Sequence, residues 1–291
     1  MKKKINWSNV ILVMIFLLGL SLLLYPTISD YWNSFHQSRV IATYSENVAN
    51  MDNEKYNQQI SAAKAFNKKL LKKKYQWTLN DEEKEEYYSI LNITDTGIMG
   101  YIEIPSLNST LPIYHGAGDD VLQVAIGHIE GSSFPIGGES THCVVSGHRG
   151  LPSAKLFSDL DKMVEGDIFM LHILDETLTY EVDQIHIVLP EEVKDIEIVE
   201  GKDLCTLVTC TPYGINSHRL LVRGKRVDNP EYIEAQRVAA DAVLVDDFYV
   251  ACAIGIGITL VLIIWLFIYS WVRRLKPKLE RKRENYEETH Q

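Results

Sequence analysis

Four cysteines, Cys143, Cys205, Cys210 and Cys252, stand in a chain of 291 residues, and none forms a CxxC pair. So few cysteines without metal-ligand spacing argue against a zinc site or a dense disulfide framework, and direct attention to one reactive thiol. Cys210 closes an apolar, β-like run and is followed by Thr211, Pro212, Tyr213 and Gly214. That turn sequence sets its sulfur at a strand end beside an exposed loop. Because an ordinary thiol is mostly protonated at neutral pH, a nucleophilic cysteine needs an imidazole or guanidinium beside it. His148 follows the β-like run Cys143–Ser146 through Gly147, and Arg219 opens the strand after the Cys210 loop. Strand ends can bring these three together.

Most of the 9 histidines, among them His36, His115, His128, His142, His172, His186 and His290, read as surface or hydrogen-bonded core residues. His218 is the rival base. It shares strand parity with Leu220 and Val222, whereas Arg219 shares parity with Arg223. Side chains alternate across a strand, so only one of His218 and Arg219 can face the groove. His148 is therefore the expected base.

The elements that position these residues follow from patterning. From Gly97 the chain breaks into short β-like pieces: Met99–Ile104, Leu111–His115, Cys143–His148, Ile168–Leu174, Leu178–Val188, Leu204–Cys210 and Arg219–Val227. Seven or eight strands imply a barrel or sandwich. A phase change between Val182 and Ile185 predicts a bulge at Asp183 or Gln184. Before the strands, Tyr44, Val48, Met51, Tyr56, Ile60, Ala63, Phe66 and Leu70 recur at helical spacing, predicting a helical hairpin packed on the main domain.

Apolar segments lie near both ends. Val10–Tyr25 follows Lys2, Lys3 and Lys4 and reads as a retained signal anchor rather than a cleaved leader. Phe248–Val272 carries no charge and as a helix would extend about 38 Å, against a hydrocarbon core of about 30 Å. Arg273, Arg274, Lys276 and Lys278 follow it, which predicts a cytoplasmic tail. The net charge of -10 conceals a strongly acidic middle between these basic ends. Such a surface repels phosphate and disfavours nucleic acid as a partner.

The stretch from Thr206 through Cys210-Thr-Pro-Tyr-Gly to Arg219 and Gly224 resembles the active-site signature of the sortases, particularly the class C, pilin-polymerising enzymes. Val145-Ser-Gly-His148-Arg-Gly-Leu-Pro152 is similar to the family's histidine region, and Gly100–Pro105 to its first strand. The resemblance implies a mainly β fold: an eight-stranded sortase-type barrel with an N-terminal helical subdomain and two flanking transmembrane helices. It implies a catalytic set of Cys210, His148 and Arg219, with no cofactor and no metal. Cys210 would cleave an LPxTG-like sorting signal between Thr and Gly, and a lysine of a pilin subunit would resolve the thioacyl enzyme into an isopeptide bond. The alternatives are a housekeeping or accessory sortase anchoring surface proteins to the wall, a surface cysteine protease using the same residues, and a noncatalytic peptide-binding barrel.

The expected organisation is a cytoplasmic N-terminus (1–9), a transmembrane anchor (10–25), a helical lead-in (26–94), the barrel (95–230), a juxtamembrane linker (231–247), a second span (248–272) and a cytoplasmic tail (273–291). The enzyme is expected to be a two-pass, monomeric membrane protein with its barrel on the extracellular face. Many pilus sortases cover the groove with a lid bearing Asp-Pro and an aromatic residue, but no Asp-Pro occurs in this sequence. An open or differently gated groove is expected, with Trp77 or Tyr56 as the aromatic substitutes to consider. Cys143 and Cys205 each precede a catalytic residue by the same offset, so the family topology would set them side by side. Two buried free thiols are favoured there over a disulfide.

Overall fold

The computed structural model describes residues 7–73 and 75–229, with a few isolated helical residues between Gly255 and Tyr269. The linker 231–247, most of the second span 248–272 and the tail 273–291 lie outside the described residues. The chain divides into two units, Met1–Ile28 with Asp241–Gln291 and Ser29–Ala240.

Helix α1 runs without a break from Trp7 to Ala49. It is long and apolar enough to cross a membrane by length and composition. The boundary expected at residue 25, between the anchor and the helical lead-in, falls within this helix. Pro26 lies inside the helix, where it removes one backbone donor, and the helix continues on both sides of it.

Helix α2 (Asn53–Leu71) starts where the Asp52 carboxylate accepts the Lys55 amide at 2.7 Å. Helix α3 (Asp81–Ser89) starts with a reciprocal capping box between Asn80 and Glu83. Their apolar face is built into the barrel core. Tyr44, Ala63, Phe66 and Tyr87 belong to one buried cluster with the strands, and Val48, Met51, Tyr56 and Ile60 pack against it. The Tyr44 hydroxyl donates to Met99 O at 2.9 Å and accepts the Leu174 amide at 2.7 Å. Burial raises the Tyr44 hydroxyl far above its ordinary range, so it remains a protonated tie between helix and barrel.

Eight strands follow: β1 (Ile98–Ile104), β2 (Ser109–His115), β3 (Ile126–His128), β4 (Thr141–Ser146), β5 (Ile168–Ile173), β6 (Glu176–Val188), β7 (Asp203–Thr211) and β8 (His218–Val227). A four-residue helix, α4 (Asp119–Leu122), lies between β2 and β3. The strands close into a barrel in the order β1-β2-β3-β4-β7-β8-β6-β5. β4 and β7 are parallel, while β8 pairs antiparallel with both β6 and β7. The irregularity expected near Asp183 is present as a register shift between Val182 and Gln184. The bidentate Arg223–Asp183 pair, at 2.9 and 3.0 Å, braces it. β3 had no counterpart among the sequence patterns, since three residues cannot display an alternation.

Candidate active site

β7 delivers Cys210. Its Leu204–Thr209 stretch is buried throughout, and the two faces divide between two clusters. Cys205 and Leu207 point into the main core with Cys143, Val145, Leu220 and Val222. Val208 packs on the other face with Val144 and Leu221, and that face also carries Cys210 and Arg219 by strand alternation. Cys210 and Arg219 are direct cross-strand partners, as are Val208 and Leu221 one step further in. Both Cys210 and Arg219 are partly exposed. The Arg219 guanidinium donates to the carbonyls of Asn216 and His218, at 3.2 and 3.1 Å, in the loop after Cys210.

His148 arrives from the neighbouring strand. β4 ends at Ser146, opposite Val208, two residues short of the end expected from sequence. The reason is that β4 leaves the ladder at Gly147, whose amide donates to Val208 O at 3.0 Å while its carbonyl accepts from Thr209 Oγ1 at 2.8 Å. A side chain at 147 would meet the buried Phe157 ring at 2.7 Å, so the backbone passes here only as glycine. His148 then stands partly exposed, two residues past the end of β4, its carbonyl accepting the Phe157 amide at 3.2 Å. The loop after it lies against the loop after Cys210. Gly150, at φ 76°, faces the Tyr213 ring so closely that a Cβ would meet it at 2.6 Å.

The far side of the same loop is held by helix α1. Ser153 O accepts from Asn33 Nδ2 at 2.5 Å and Ser29 Oγ at 3.2 Å, and the Lys155 amide donates to Asp30 at 2.6 Å.

His218, the rival, pairs with Thr211 across the ladder at the strand mouth, and its ring contacts Ser217 Oγ at 2.9 Å. Other histidines fill structural positions. His115 bonds the carbonyls of Gly97 and Ile90, at 2.8 and 2.6 Å, and His128 bonds the Tyr87 hydroxyl and Ser133 O, both at 2.9 Å. His142 lies between Glu197 O and Thr206 Oγ1, each at 2.7 Å. Burial depresses its pKa to about 4.

The apolar residues on the face that carries Cys210 are packed. Trp77 packs against Val144, Val208 and Leu221, together with Ile129, Val188 and Ile196. The backbone of Gln76 and Trp77 lies on Gly131, where a Cβ would meet Gln76 O at 2.5 Å. The Trp77 ring nitrogen has no hydrogen-bond partner among the described residues. Tyr56, the other aromatic considered, packs on the main core instead. Cys143 and Cys205 are direct partners across the parallel β4–β7 ladder, and both are buried free thiols. Burial pushes the Cys205 thiol well above its ordinary value.

With this geometry the comparisons with known proteins agree. The sortase domain model matches residues 102–227. Sortase C1 from Streptococcus agalactiae is 54% identical and superimposes with a TM-score of 0.64, over 66% of this chain and 100% of that one. Streptococcus pneumoniae sortase C is 46% identical, with a TM-score of 0.60, over 66% of this chain and 97% of its own. Sortase D of Bacillus subtilis (strain 168) is 32% identical over 131 residues, 44% of this chain and 63% of that protein. The match thus spans just under two thirds of that curated relative. The closed eight-stranded barrel matches the sortase fold. The chain belongs to the sortase family, and the solved structures it resembles are class C sortases.

Proposed function

We propose that this chain is a membrane-anchored cysteine transpeptidase that joins pilin subunits. The observation that carries the reading is the cross-strand pairing of Cys210 with Arg219, with His148 two residues past the end of β4, the strand that pairs with β7. Cys210 Sγ attacks the Thr carbonyl of an LPxTG-like sorting signal, and the Thr–Gly bond breaks to leave a thioacyl enzyme. His148 gives its proton to the departing Gly amine and later takes one from the incoming lysine amine, whose attack forms the isopeptide bond and frees the thiol. Arg219, always charged and rich in donors, orients the peptide and stabilises the oxyanion. No cofactor or metal takes part. The pilin reading is supported by the class C structures and by the resemblance of the Cys210 segment to pilin-polymerising enzymes; the Streptococcus pneumoniae sortase C structure is described as giving insights into pilin substrate specificity.

The anchor in α1 and the basic-flanked apolar segment 248–272 fit a two-pass protein with its barrel outside the cell, where anchored pilins would share its surface. Incubation of the full chain with an LPxTG peptide and a lysine-bearing pilin domain tests the proposal. A crosslinked product that disappears in Cys210→Ala is expected. Cleavage without crosslinking would instead make the protein a protease, and binding alone an adaptor.

A further inference from the structure

We propose that Arg149 is a positioning residue that holds the His148 imidazole level with the Cys210 sulfur. The inference rests on the catalytic assignment above but starts from contacts that assignment does not use. His148 is bracketed. On one side Gly147 is bonded to Val208 and Thr209 through both of its backbone polar groups, at 3.0 and 2.8 Å. On the other, Arg149 Nη1 donates to Thr211 Oγ1 at 3.3 Å. The residues before and after His148 are thus tied to the residues before and after Cys210. Each reacting group is the middle member of a clamped triplet.

The second clamp is made by a side chain, so substitution can remove it. Arg149 also forms an ion pair with Asp161, and its guanidinium lies 6.0 Å from the centre of the Tyr213 ring. Its side chain is only 11% exposed, and its Nε has no partner among the described residues. Its orientation therefore depends on Asp161, Thr211 and Tyr213. A planar fork can reach a carboxylate and a hydroxyl in different directions at once, whereas an ammonium of shorter reach cannot hold both. Gly150 packs against the same Tyr213 ring, so the two loops that carry Arg149 and Tyr213 are in direct contact.

The prediction concerns rate rather than binding, because the clamp joins residues that flank the reacting groups and the Arg149 side chain is only 11% exposed. Misplacement of reacting groups by about 1 Å costs up to about 100-fold in rate. Arg149→Lys and Thr211→Val should each lower kcat by about 10-fold with KM within about twofold of the wild type. The double variant should be no slower than the worse single one, since both remove the same clamp. Kinetics are read in the full chain with an LPxTG peptide, well below each variant's melting temperature, so that lost stability does not enter. A substrate-free readout accompanies them: the His148 ring resonance in 13C-histidine-labelled protein, expected narrow and single in the wild type and broadened or doubled in both variants. An unchanged kcat in Arg149→Lys, a loss carried by KM, or an unchanged His148 resonance would each overturn the proposal. If the wild type cleaves no sorting peptide yet the resonance still responds to both substitutions, the catalytic reading fails while the clamp stands.

Discussion

At the residue scale the site is two strand partners and one loop residue, and the difference bears on which substitutions are informative. Cys210 and Arg219 are fixed by the ladder itself, so their mutual placement survives any change that leaves the barrel closed. His148 lies beyond the ladder and depends on its neighbours. His148→Asn should therefore abolish ligation with the fold intact, while His218→Asn should retain most of the activity. The reverse result in the crosslinking assay would transfer the base role to His218. Trp77→Ala should uncover the floor beside Cys210, raising the rate of Cys210 alkylation by a bulky maleimide and costing about 1–2 kcal/mol of stability for a half-buried aromatic. The placement of Cys210 and Arg219 at strand ends, and of His148 just past one, was legible in the sequence because motif and strand pattern coincide. Arg149 was part of the same motif but had no visible role, since its partners Thr211 and Asp161 become neighbours only through the tertiary fold. Trp77 was readable as a packing aromatic, but its partners Val144, Val208 and Leu221 become neighbours only through the tertiary fold.

At the scale of elements, the parallel contact between β4 and β7 is fastened outside its ladder by His142, which joins β4 to Glu197 and to Thr206 of β7. Its depressed pKa has a definite sign. Unfolding restores an ordinary imidazole, pKa about 6.5, that takes up a proton which the folded ring, at about 4, refuses. Stability from this residue is complete above about pH 6.5 and is lost as pH falls towards 4, amounting to about 3 kcal/mol across the window. His142→Gln should flatten the fall in melting temperature between those pH values relative to the wild type; an identical slope would show that other groups govern it. Seven of the strands were legible because each is long enough to show alternation or an apolar run. β3 was not, and β4 ended earlier than its apolar run because Gly147 turns the backbone out of the ladder. The bulge in β6 was legible in advance, since a change of apolar phase within one strand has no other simple cause.

For the whole molecule, the N-terminal helices share one buried cluster with the barrel strands. Tyr44, Phe66 and Tyr87 are at most 3% exposed, and removing even one buried aromatic typically costs about 3–5 kcal/mol of a total near 5–15. A chain beginning at residue 91 should lose its cooperative thermal transition by circular dichroism, whereas Trp77→Ala should keep it. The sequence pointed to the helical stripe that makes these contacts, because its apolar residues recur at helical spacing. The strand order carries one more consequence. The hairpin of β7 and β8 comes last in the sequence yet is inserted between β4 and β6, the two open edges that the first six strands leave. A polypeptide made from its N-terminus thus has neither Cys210 nor Arg219, the proposed nucleophile and oxyanion donor, until the last of the described strands emerge, and the event that seals the cylinder is the same one that pairs them.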